Sequence, residues 1–462
     1  MTLWESISAA GALCSGVLHG ESVALRLAEL EGQSHLDGDV PALRGRSIVI
    51  VTQDQLLATL ALVELDGIAG RLVLCPPDVS PQHLAHIIEV SEADAWIGGG
   101  ESCEQASAHG VPVSVPVRPT PIGRRVGSGT FSETEWILVT SGTTGMPKLV
   151  VHTFESLAYA VAAQPVPLKG KRAIWSTFYD IRRYGGLQVF LRGLHAGAFV
   201  FSSPTETTTE FLARAGKCGV THISGTPSHW RKVLMSGAAG LISPEYVRLS
   251  GEIADQGILN GLRAAFPQAI VAHAFASTEA GVGFEVRDGQ AGFPQTLVED
   301  GPEGVQIDLS HGTLRLRSKG NARSYLGRDA PPLRSVDGFV DTTDRLELRA
   351  GRYFFVGRSG GVINVGGMKV HPEEVESVIN AHPWVRMSLV KPRHSPITGA
   401  VVCADVVLRE PANAPRPPED VLRAELLEAC RAALPAHKVP VALRIVPTLE
   451  IAPSGKLVRR NA

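Results

Sequence analysis

Residues Arg46–Cys75 read RSIVIVTQDQLLATLALVELDGIAGRLVLC. The first part, Arg46–Thr52, is a short apolar run with β-branched residues in its middle, and Gln53–Leu65 then carries apolar residues at helical spacing. A second short apolar run, Arg71–Cys75, follows. A strand, a helix and another strand in this order are typical of a βαβ unit, which places its two strands in a parallel sheet.

The same alternation of strands and helices recurs along much of the chain. The further predicted segments are the helix Pro81–Val90, the strands Ala95–Gly98 and Ala196–Ser202, the helix Glu206–Cys218, the strand Val220–Gly225, the helix Pro227–Met235, the strand Val247–Ser250, the helix Asp255–Phe266 and the strand Ile270–Phe275. Together they predict two doubly wound subdomains.

The pattern changes in the last third of the chain. From Gly312 to Val356, short strand-like segments are interrupted by Gly, Pro and Asp, which favours antiparallel β-structure. After Arg358 a smaller segment combines strands with the helices Pro372–Ala381 and Pro417–Ala433. About a hundred residues are enough for a separate domain, so we predict an N-terminal domain of residues 1–358 and an α+β C-terminal domain of residues 359–462.

Composition argues against several classes of protein. The chain has 462 residues and a formal net charge of -2, so no field over the whole molecule would attract nucleic acid or an acidic membrane. No stretch reaches the roughly 18 consecutive apolar residues of a membrane span, and Met1–Leu13 lacks the basic start and apolar core of a secretion signal. The scattered cysteines show neither C-x-x-C nor zinc-ligand spacing, which favours reduced thiols and a cytoplasmic location.

The strand-like run Ile137-Leu138-Val139 leads into a segment rich in hydroxyls and glycines, Thr140-Ser141-Gly142-Thr143-Thr144-Gly145-Met146-Pro147-Lys148. Glycines let the backbone approach an anion closely, and backbone N–H groups can surround phosphate oxygens. Lys148 adds a positive charge. A polar surface loop is the other interpretation, and a Walker A loop is excluded because no Gly-Lys-Ser/Thr opens a helix. The segment therefore predicts a phosphate-binding loop.

Thr140–Lys148 also resembles the phosphate loop of the adenylate-forming superfamily, which includes acyl- and aryl-CoA synthetases, the adenylation domains of peptide synthetases, and luciferases. Further segments resemble other motifs of that family in the right order. The resemblance implies that ATP and Mg²⁺ are used. The phosphates would be bound by Thr140, Ser141, Gly142, Thr143, Thr144, Gly145 and Lys148.

The segment Ala274–Gly281 is similar to the family's aromatic-Gly-x-Thr-Glu motif. By this resemblance Phe275 would stack on adenine, Thr278 would bind the α-phosphate, and Glu279 would hold the Mg²⁺ ion, a hard cation that prefers oxygen ligands. The usual glycine of the motif is Ala276 here. Without the other motifs, the Ser-Thr-Glu sequence would also fit a helix cap.

Three more segments complete the nucleotide site that the resemblance implies. Gly251 and Glu252 resemble the loop along the other side of the adenine. Asp344 resembles the aspartate of the family's Thr-Gly-Asp motif, which accepts hydrogen bonds from both ribose hydroxyls, and Thr343 stands in place of the glycine. A solvated turn aspartate is the alternative. Arg358 would be the second ribose contact.

Residues Gly357–Val370 resemble the family's hinge and the glycine loop that follows it. In relatives the small domain rotates about the residue that aligns with Gly360, and Gly366-Gly367 would reach the active site after rotation. The fold implied for the whole chain is α/β: a large N-terminal domain of doubly wound subdomains plus a β-rich subdomain, followed by a small mobile α+β C-terminal domain.

The segment Ala452-Pro453-Ser454-Gly455-Lys456 resembles the part of the family whose lysine enters the site during adenylation. A carboxylate must attack a phosphorus that is surrounded by negative oxygens, and a cation at that point offsets the repulsion. Lys456 is therefore predicted to be catalytic, together with Thr278 and Glu279. A lysine near a chain terminus is otherwise a solvated surface residue.

The acid is expected beside Phe178–Gly186, which reads FYDIRRYGG. Aligned on Tyr-Gly with the Phe-His-x-Tyr-Gly segment of many relatives, it places Arg182 where the histidine usually stands. A basic entrance lined by aromatic residues favours a small polar or aromatic acid, and arginines that point to solvent are the alternative. The predicted substrate contacts are Tyr179, Arg182, Tyr184, Gly225, His273 and Ala274.

The implied function is a two-step acid–thiol ligase. The acid would attack ATP, pyrophosphate would leave, and the acyl group of the acyl-AMP would pass to CoA or to the phosphopantetheine of a separate carrier protein. An amine acceptor is a further possibility, and an adenylate-binding pseudoenzyme is the non-catalytic alternative. Retention of Glu279, Asp344 and Lys456 favours catalysis, and neither a nucleic-acid partner nor a membrane span is expected.

Overall fold

A computed structural model of the chain describes residues 2–12, 16–99, 102–125, 133–140, 146–163, 173–358, 361–395, 398–409, 416–452 and 455–458. The elements up to Val286 are, in chain order, α1 (Leu3–Ala9), β1 (Val17–His19), β2 (Ala24–Arg26), β3 (Gln33–Ser34), β4 (Ser47–Val51), α2 (Gln55–Leu65), β5 (Arg71–Leu74), α3 (Pro81–Ser91), β6 (Ala95–Gly98), α4 (Ser102–Ala108), β7 (Val113–Pro116), β8 (Gly123–Arg124), β9 (Glu135–Thr140), β10 (Lys148–Thr153), α5 (Phe154–Ala163), β11 (Trp175–Thr177), α6 (Tyr184–Ala196), β12 (Ala198–Val200), α7 (Thr208–Lys217), β13 (His222–Gly225), α8 (Pro227–Ser236), β14 (Tyr246–Ser250), α9 (Gln256–Ala265), β15 (Ile270–Ser277) and β16 (Gly281–Val286).

The remaining elements are mostly short strands. They are β17 (Phe293–Pro294), α10 (Thr296–Asp300), β18 (Val305–Asp308), β19 (Arg315–Ser318), β20 (Ser324–Tyr325), β21 (Val340–Asp341), β22 (Asp344–Arg349), β23 (Arg352–Arg358), β24 (Ile363–Val365), β25 (Met368–Val370), α11 (Pro372–Asn380), β26 (Val385–Ser395), β27 (Gly399–Leu408), α12 (Glu419–Ala433) and β28 (Ala442–Ile445). Among the described residues, no helix is both long enough and apolar enough to cross a membrane.

Two large sheets organise the part of the chain before residue 287, together with the later strand β20. One has the strand order β20-β10-β9-β5-β4-β6-β7, and the other has the order β16-β15-β14-β13-β11-β12-β1-β2. The inner strands run parallel, and antiparallel strands lie at the edges. The strand order reverses within each sheet, as in doubly wound folds. The predicted α/β fold class is confirmed.

The largest hydrophobic core joins the two sheets. It contains Ile50 of β4, Leu60 of α2, Phe190 of α6 and Phe199 of β12. Helix α2 is apolar on almost every face, which is typical of a helix that is buried on all sides.

The parallel strands of the second sheet position the candidate site. Because their carboxyl ends share one edge, the residues that follow them meet there. Tyr179 follows β11, Thr226 follows β13, Gly251 follows β14 and Thr278 follows β15.

The C-terminal segment has a hydrophobic core of its own. Helices α11 and α12 pack with the sheet β25-β24-β27-β26, and β28 pairs with β27. This α+β arrangement matches the predicted class. The boundary between residues 358 and 359 stays a prediction, and the expected hinge residue Gly360 lies outside the described residues.

Some local predictions were wrong. Lys148 begins β10 and does not end a loop, because residues 148–153 pair with β9 in an antiparallel hairpin. Ala196 is the last residue of α6 and does not belong to the next strand, since the residue that ends the helix is Gly197, which adopts φ +87°. The helix predicted from Pro417 begins at Glu419.

Candidate active site

Strands β9 and β10 hold the two ends of the predicted phosphate loop. Thr140 and Lys148 face each other across the hairpin, and the Thr140 hydroxyl donates to the Lys148 carbonyl at 3.2 Å. The Lys148 ammonium lies 4.8 Å from the centre of the Tyr325 ring. Ser141, Gly142, Thr143, Thr144 and Gly145 lie outside the described residues, so their phosphate contacts stay predictions.

Tyr325 links Lys148 to the predicted metal ligand Glu279. It lies in β20, which pairs with β10, and its hydroxyl donates to Glu279 Oε1 at 3.4 Å. Burial and the Glu279 carboxylate raise the pKa of Tyr325 to about 12, so the hydroxyl keeps its proton. The sequence patterns did not single out Tyr325, because only the pairing of β20 with β10 brings it to the site.

A buried histidine fixes the turn that carries Thr278 and Glu279. His152 Nε2 donates to the Thr278 carbonyl at 2.8 Å, and Nδ1 lies 2.9 Å from Ser156 Oγ. Burial lowers the pKa of His152 to about 4. The ring is therefore neutral at pH 7 with its proton on Nε2, because a carbonyl can only accept. The Glu279 carbonyl in turn accepts from the Ala322 N–H at 2.9 Å.

Asp344 presents a carboxylate oxygen that has no hydrogen bond to any described residue. Its Oδ1 accepts from Arg358 Nε at 2.9 Å, whereas Oδ2 is buried and unpartnered. A buried acceptor of this kind costs free energy unless a ligand supplies a donor. Although burial acts against its charge, the pKa of Arg358 is raised by the neighbouring Asp344. The pair fits the ribose contact that the sequence predicts.

Phe275 belongs to a stack of aromatic rings. Its ring centre lies 5.2 Å from that of Phe355 with 10° between the planes, and 5.7 Å from that of Phe284 with 23°. The pairing of β15 with β16 shifts register between Phe275 and Ala276, where the family motif has its glycine. These neighbours fix the plane of the ring, and its contact with adenine stays a prediction.

The tail that carries Lys456 is docked on the N-terminal part of the molecule. The Thr226 hydroxyl donates to the Gly455 carbonyl at 2.7 Å, and Glu252 Oε1 accepts from the Leu457 N–H at 3.1 Å. Two backbone groups on either side of Lys456 are thereby held by side chains more than two hundred residues away. These two backbone hydrogen bonds hold the tail on both sides of the lysine.

A glycine is required at position 455. Gly455 adopts φ +77°, and a Cβ atom there would overlap the imidazole ring of His229. Phe178 also stacks on that ring, with 5.2 Å between the ring centres and 17° between the planes, and Tyr179 meets it edge-on at 5.9 Å. Burial, with a smaller effect from Lys232, lowers the pKa of His229 to about 4, so the ring packs as a neutral group.

The Lys456 side chain passes close to Gly251. Its Cε atom lies 3.4 Å from the point where a Cβ atom on Gly251 would stand. Burial in the cleft, and then the charge of Arg358, lower the pKa of Lys456, while Glu252 and Asp344 act in the opposite direction. Part of the side chain remains accessible to solvent. Lys456 therefore lies next to Gly251, within reach of the charges of Arg358, Glu252 and Asp344. The roles that the motifs imply for these residues stay predictions.

Glu252 has contacts that the sequence did not reveal. Besides the Leu457 N–H, its carboxylate accepts from the Ser228 N–H at 2.9 Å and from the Ser228 hydroxyl at 3.0 Å. It therefore ties the start of α8 to the tail, and its predicted place beside adenine is not tested by these contacts.

Two predicted acid contacts are brought together at the strand ends. The Tyr179 hydroxyl donates to the Ser250 carbonyl at 2.7 Å, and Ser250 pairs with Ala274 across β14 and β15. Tyr184 begins α6, and its ring stacks on His152 at 5.5 Å.

Two other predicted acid contacts have structural partners. A Cβ atom on Gly225 would stand 2.7 Å from the Phe178 ring, so the glycine makes room for that ring. His273 Nε2 donates to the Gln290 carbonyl at 2.9 Å. Because side chains alternate along a strand, His273 points to the opposite face of β15 from Ala274. The structure therefore does not group His273 with the acid contacts.

The structure contradicts the expected basic entrance at Arg182. Its side chain is 0% exposed, and it donates to both carboxylate oxygens of Asp180 at 2.7 and 2.5 Å and to the Thr52 carbonyl. The alternative that these arginines point to solvent is also wrong, since Arg183 is paired with Asp78 at 2.5 Å. The N–H donors of the planar Arg182 guanidinium are taken up by acceptors within the protein itself.

Comparisons with known proteins find relatives of this chain. Residues 44–326 match the family described as AMP-binding enzyme, and residues 374–456 match the AMP-binding enzyme C-terminal domain. The 2-succinylbenzoate–CoA ligase of Salmonella typhimurium is 32% identical over 262 residues, which cover 55% of this chain and 54% of that enzyme. The chain thus spans about half the length of the curated relatives it matches first.

Solved structures share the fold at low sequence identity. The anthranilate CoA ligase AuaEII in complex with anthranoyl-AMP is 17% identical, with a TM-score of 0.79 over 99% of this chain and 96% of that one. The amide bond synthetase McbA from Marinactinospora thermotolerans is 19% identical, with a TM-score of 0.76 over 98% of both chains.

Proposed function

Because the chain belongs to the family of AMP-binding enzymes, we propose that it uses ATP to activate a small polar or aromatic carboxylic acid. The acid becomes acyl-AMP with release of pyrophosphate, and the acyl group then passes to a thiol. The observation that supports the proposal best is the docked tail, in which the Lys456 side chain lies close to Gly251 and is acted on by the charges of Arg358 and Asp344.

We assign a role to each group, with these contacts as support. The unpartnered Asp344 Oδ2 accepts a ribose hydroxyl, and Arg358 holds that carboxylate in place. Thr278, on the turn fixed by His152, faces the α-phosphate. The Lys456 ammonium stands where the acid's carboxylate meets the phosphate, and it offsets the repulsion between the two anions.

Glu279 is the residue suited to Mg²⁺. Magnesium is usually bound by one or two carboxylates together with substrate phosphates, and Glu279 supplies one carboxylate whose protein neighbour, the Tyr325 hydroxyl, lies at a long 3.4 Å. A bound Mg²⁺ would neutralise part of the phosphate charge. Lys148 lies on the other side of Tyr325 and adds positive charge to the same region.

The acyl acceptor is proposed to be CoA. The support is that curated relatives include enzymes named as CoA ligases and as acyl-coenzyme A synthetases. The phosphopantetheine of a separate carrier protein and an amine are the competing acceptors, and the experiment below separates them.

Acid-dependent exchange of labelled pyrophosphate into ATP tests the proposal. A panel of small polar and aromatic acids, including 2-succinylbenzoate and anthranilate, should contain acids that support exchange, and Lys456→Ala should lower that exchange by about 10²–10³. Lys217→Ala, at an exposed lysine of α7, is the matched control. Offering CoA, a carrier protein or an amine with the active acid then identifies the acceptor.

Two results would contradict the proposal. If no acid in the panel supports exchange and AMP still binds, the chain is an adenylate-binding protein without catalysis. If exchange occurs but Lys456→Ala does not slow it, the role proposed for the tail is wrong.

A further inference from the structure

The proposed acid pocket contains a buried arginine that none of the roles above uses. Arg248 lies in the middle of β14 and is 3% exposed. It stands two residues before Ser250, on the same face of the strand, and the Ser250 carbonyl holds the Tyr179 hydroxyl. At the level of Arg248 the neighbouring strands carry the small residues Ser224 and Ala272. These two short side chains occupy little of the space beside the guanidinium.

The carboxylate nearest to Arg248 is already occupied by other donors. Glu285 accepts from the Tyr246 hydroxyl and from Arg287 Nε, each at 2.6 Å. Arg248 Nε approaches Glu285 to 3.2 Å, but its Nε and Nη2 atoms are buried and form no hydrogen bond with the described residues. Burial, and next the charge of Arg248, lower the pKa of Arg192 to about 10. In this part of the described structure, Arg248 and Arg287 therefore share the Glu285 carboxylate with the Tyr246 hydroxyl.

The buried donors of Arg248 that form no hydrogen bond with the described residues call for an acceptor. A buried charge is costly unless it is paired and hydrogen-bonded, and unused guanidinium donors match a carboxylate in geometry. The ligand that reaches this face in the proposed function is the acid, whose reacting carboxylate must point to Lys456. A second carboxylate on the same molecule would lie toward Arg248.

We propose that Arg248 binds a second carboxylate of the substrate, so that the enzyme selects a small dicarboxylic acid. This inference rests on the proposed function, since it places the acid in the pocket between Tyr179 and Ala274. It also replaces Arg182 by Arg248 as the basic residue that determines specificity.

Pyrophosphate exchange with matched pairs of acids tests the inference. The pairs propanoate and succinate, butanoate and glutarate, and benzoate and isophthalate each differ by one carboxylate. With the wild type we expect kcat/KM to be roughly a hundredfold higher for the better diacids than for their partners, because an acid without the second carboxylate leaves buried donors unpaired. Arg248→Met should remove this preference, and Arg248→Lys should keep part of it.

Controls separate binding from folding. Arg287→Met removes another donor from Glu285 at a more exposed position, and it should leave the preference for diacids unchanged. Arg248→Met should still fold, since Glu285 keeps Tyr246 and Arg287, and thermal unfolding checks this. Calorimetric titration of the preferred diacid into each variant gives a binding readout that does not depend on turnover.

The outcomes distinguish this inference from the proposed function. Exchange with monoacids but no preference for any diacid would overturn the role of Arg248 and leave the proposed function standing. An equal loss for both members of each pair in Arg248→Met would show a merely structural arginine and would also overturn it. If no acid supports exchange with the wild type, the proposed function fails and the inference fails with it.

Discussion

At the scale of single residues, the turn before β22 has two neighbouring features that lower stability: a strained backbone and a buried polar oxygen without a hydrogen bond to the described residues. Thr343 adopts φ 62°, a left-handed conformation that is unfavourable for a β-branched residue, and its N–H donates to Asp341 Oδ1 at 2.7 Å. Asp344, the next residue, keeps a buried oxygen without a hydrogen bond to the described residues. Strained backbone and unpaired polar groups concentrate at functional sites, and here both stand where the sequence predicts the ribose.

Asp344→Asn should weaken ATP binding. The amide can still accept from Arg358 through its oxygen, but it turns an N–H₂ donor toward the ribose hydroxyl. Loss of a hydrogen bond to a charged group predicts a rise of the KM for ATP by roughly tenfold to a hundredfold, with a smaller change in kcat. Exchange kinetics over a range of ATP concentrations measure this. Asp341→Asn is the control, and an equal effect in both variants would contradict the ribose role.

Thr343→Gly should stabilise the protein by about 1 kcal/mol, because glycine adopts the left-handed conformation without steric cost. The same change at the preceding Thr342 should destabilise it, since the Thr342 hydroxyl donates to the Leu314 carbonyl at 2.8 Å and accepts from the Asp344 N–H. Urea unfolding of both variants measures the two signs. A destabilised Thr343→Gly would show that the threonine side chain contributes more than its strained backbone costs.

At the scale of elements, the tail and the start of α8 fit together through one glycine. Gly455 packs on the His229 ring. The hydroxyl of Thr226, the N-cap residue of α8, donates to the Gly455 carbonyl. Glu252 holds the next turn of the tail through the Leu457 N–H. These contacts stabilise one position of the C-terminal segment, the one in which Lys456 lies in the site.

Gly455→Ala should therefore impair acid activation selectively. The added methyl group would overlap His229 and would also strain a backbone with φ +77°. We expect pyrophosphate exchange to fall by about a hundredfold, of the order seen when a 1 Å misplacement disturbs a catalytic group. The control is Gly237→Ala, where φ is +69° but a Cβ atom would meet nothing within 4 Å. Similar losses in both variants would mean that strain alone, and not docking, is responsible.

Much of the arrangement of helices and strands could be predicted from the sequence. The βαβ pattern of Arg46–Cys75 predicts the fold class, because period and turn chemistry are local properties. The nucleotide residues follow from the family resemblance and stay predictions. Contacts made by pairing of distant segments could not be predicted. Tyr325 reaches Glu279 only through the pairing of β20 with β10, and the role expected of Arg182 was wrong because a neighbouring carboxylate, Asp180, takes its donors.

At the scale of the whole molecule, two neutral histidines connect parts that are far apart in sequence. His152 joins β10 to the turn of Thr278, and His229 lies between Phe178 and the tail. Burial lowers the pKa of each to about 4 from the ordinary value of 6.5. Their contribution to stability therefore depends on pH.

Stability should fall as the pH is lowered from about 6.5 to about 4. In that window the unfolded chain binds protons at these histidines and the folded chain does not, so the free energy of unfolding rises with pH. The double variant His152→Gln/His229→Gln should show a smaller fall than the wild type in urea unfolding at pH 7 and pH 5. His195→Gln, at an exposed residue of α6, is the control. An unchanged slope in the double variant would contradict the neutral, buried state of both rings.

The central claim is that the docked tail brings Lys456 to the site for acid activation alone. Single-turnover rates of the two steps in Lys456→Ala test it most directly: formation of acyl-AMP from ATP and acid, and transfer from supplied acyl-AMP to the thiol. We predict that the first rate falls by about 10²–10³ and that the second is unchanged. Equal losses in both steps, or no loss in the first, would contradict the claim.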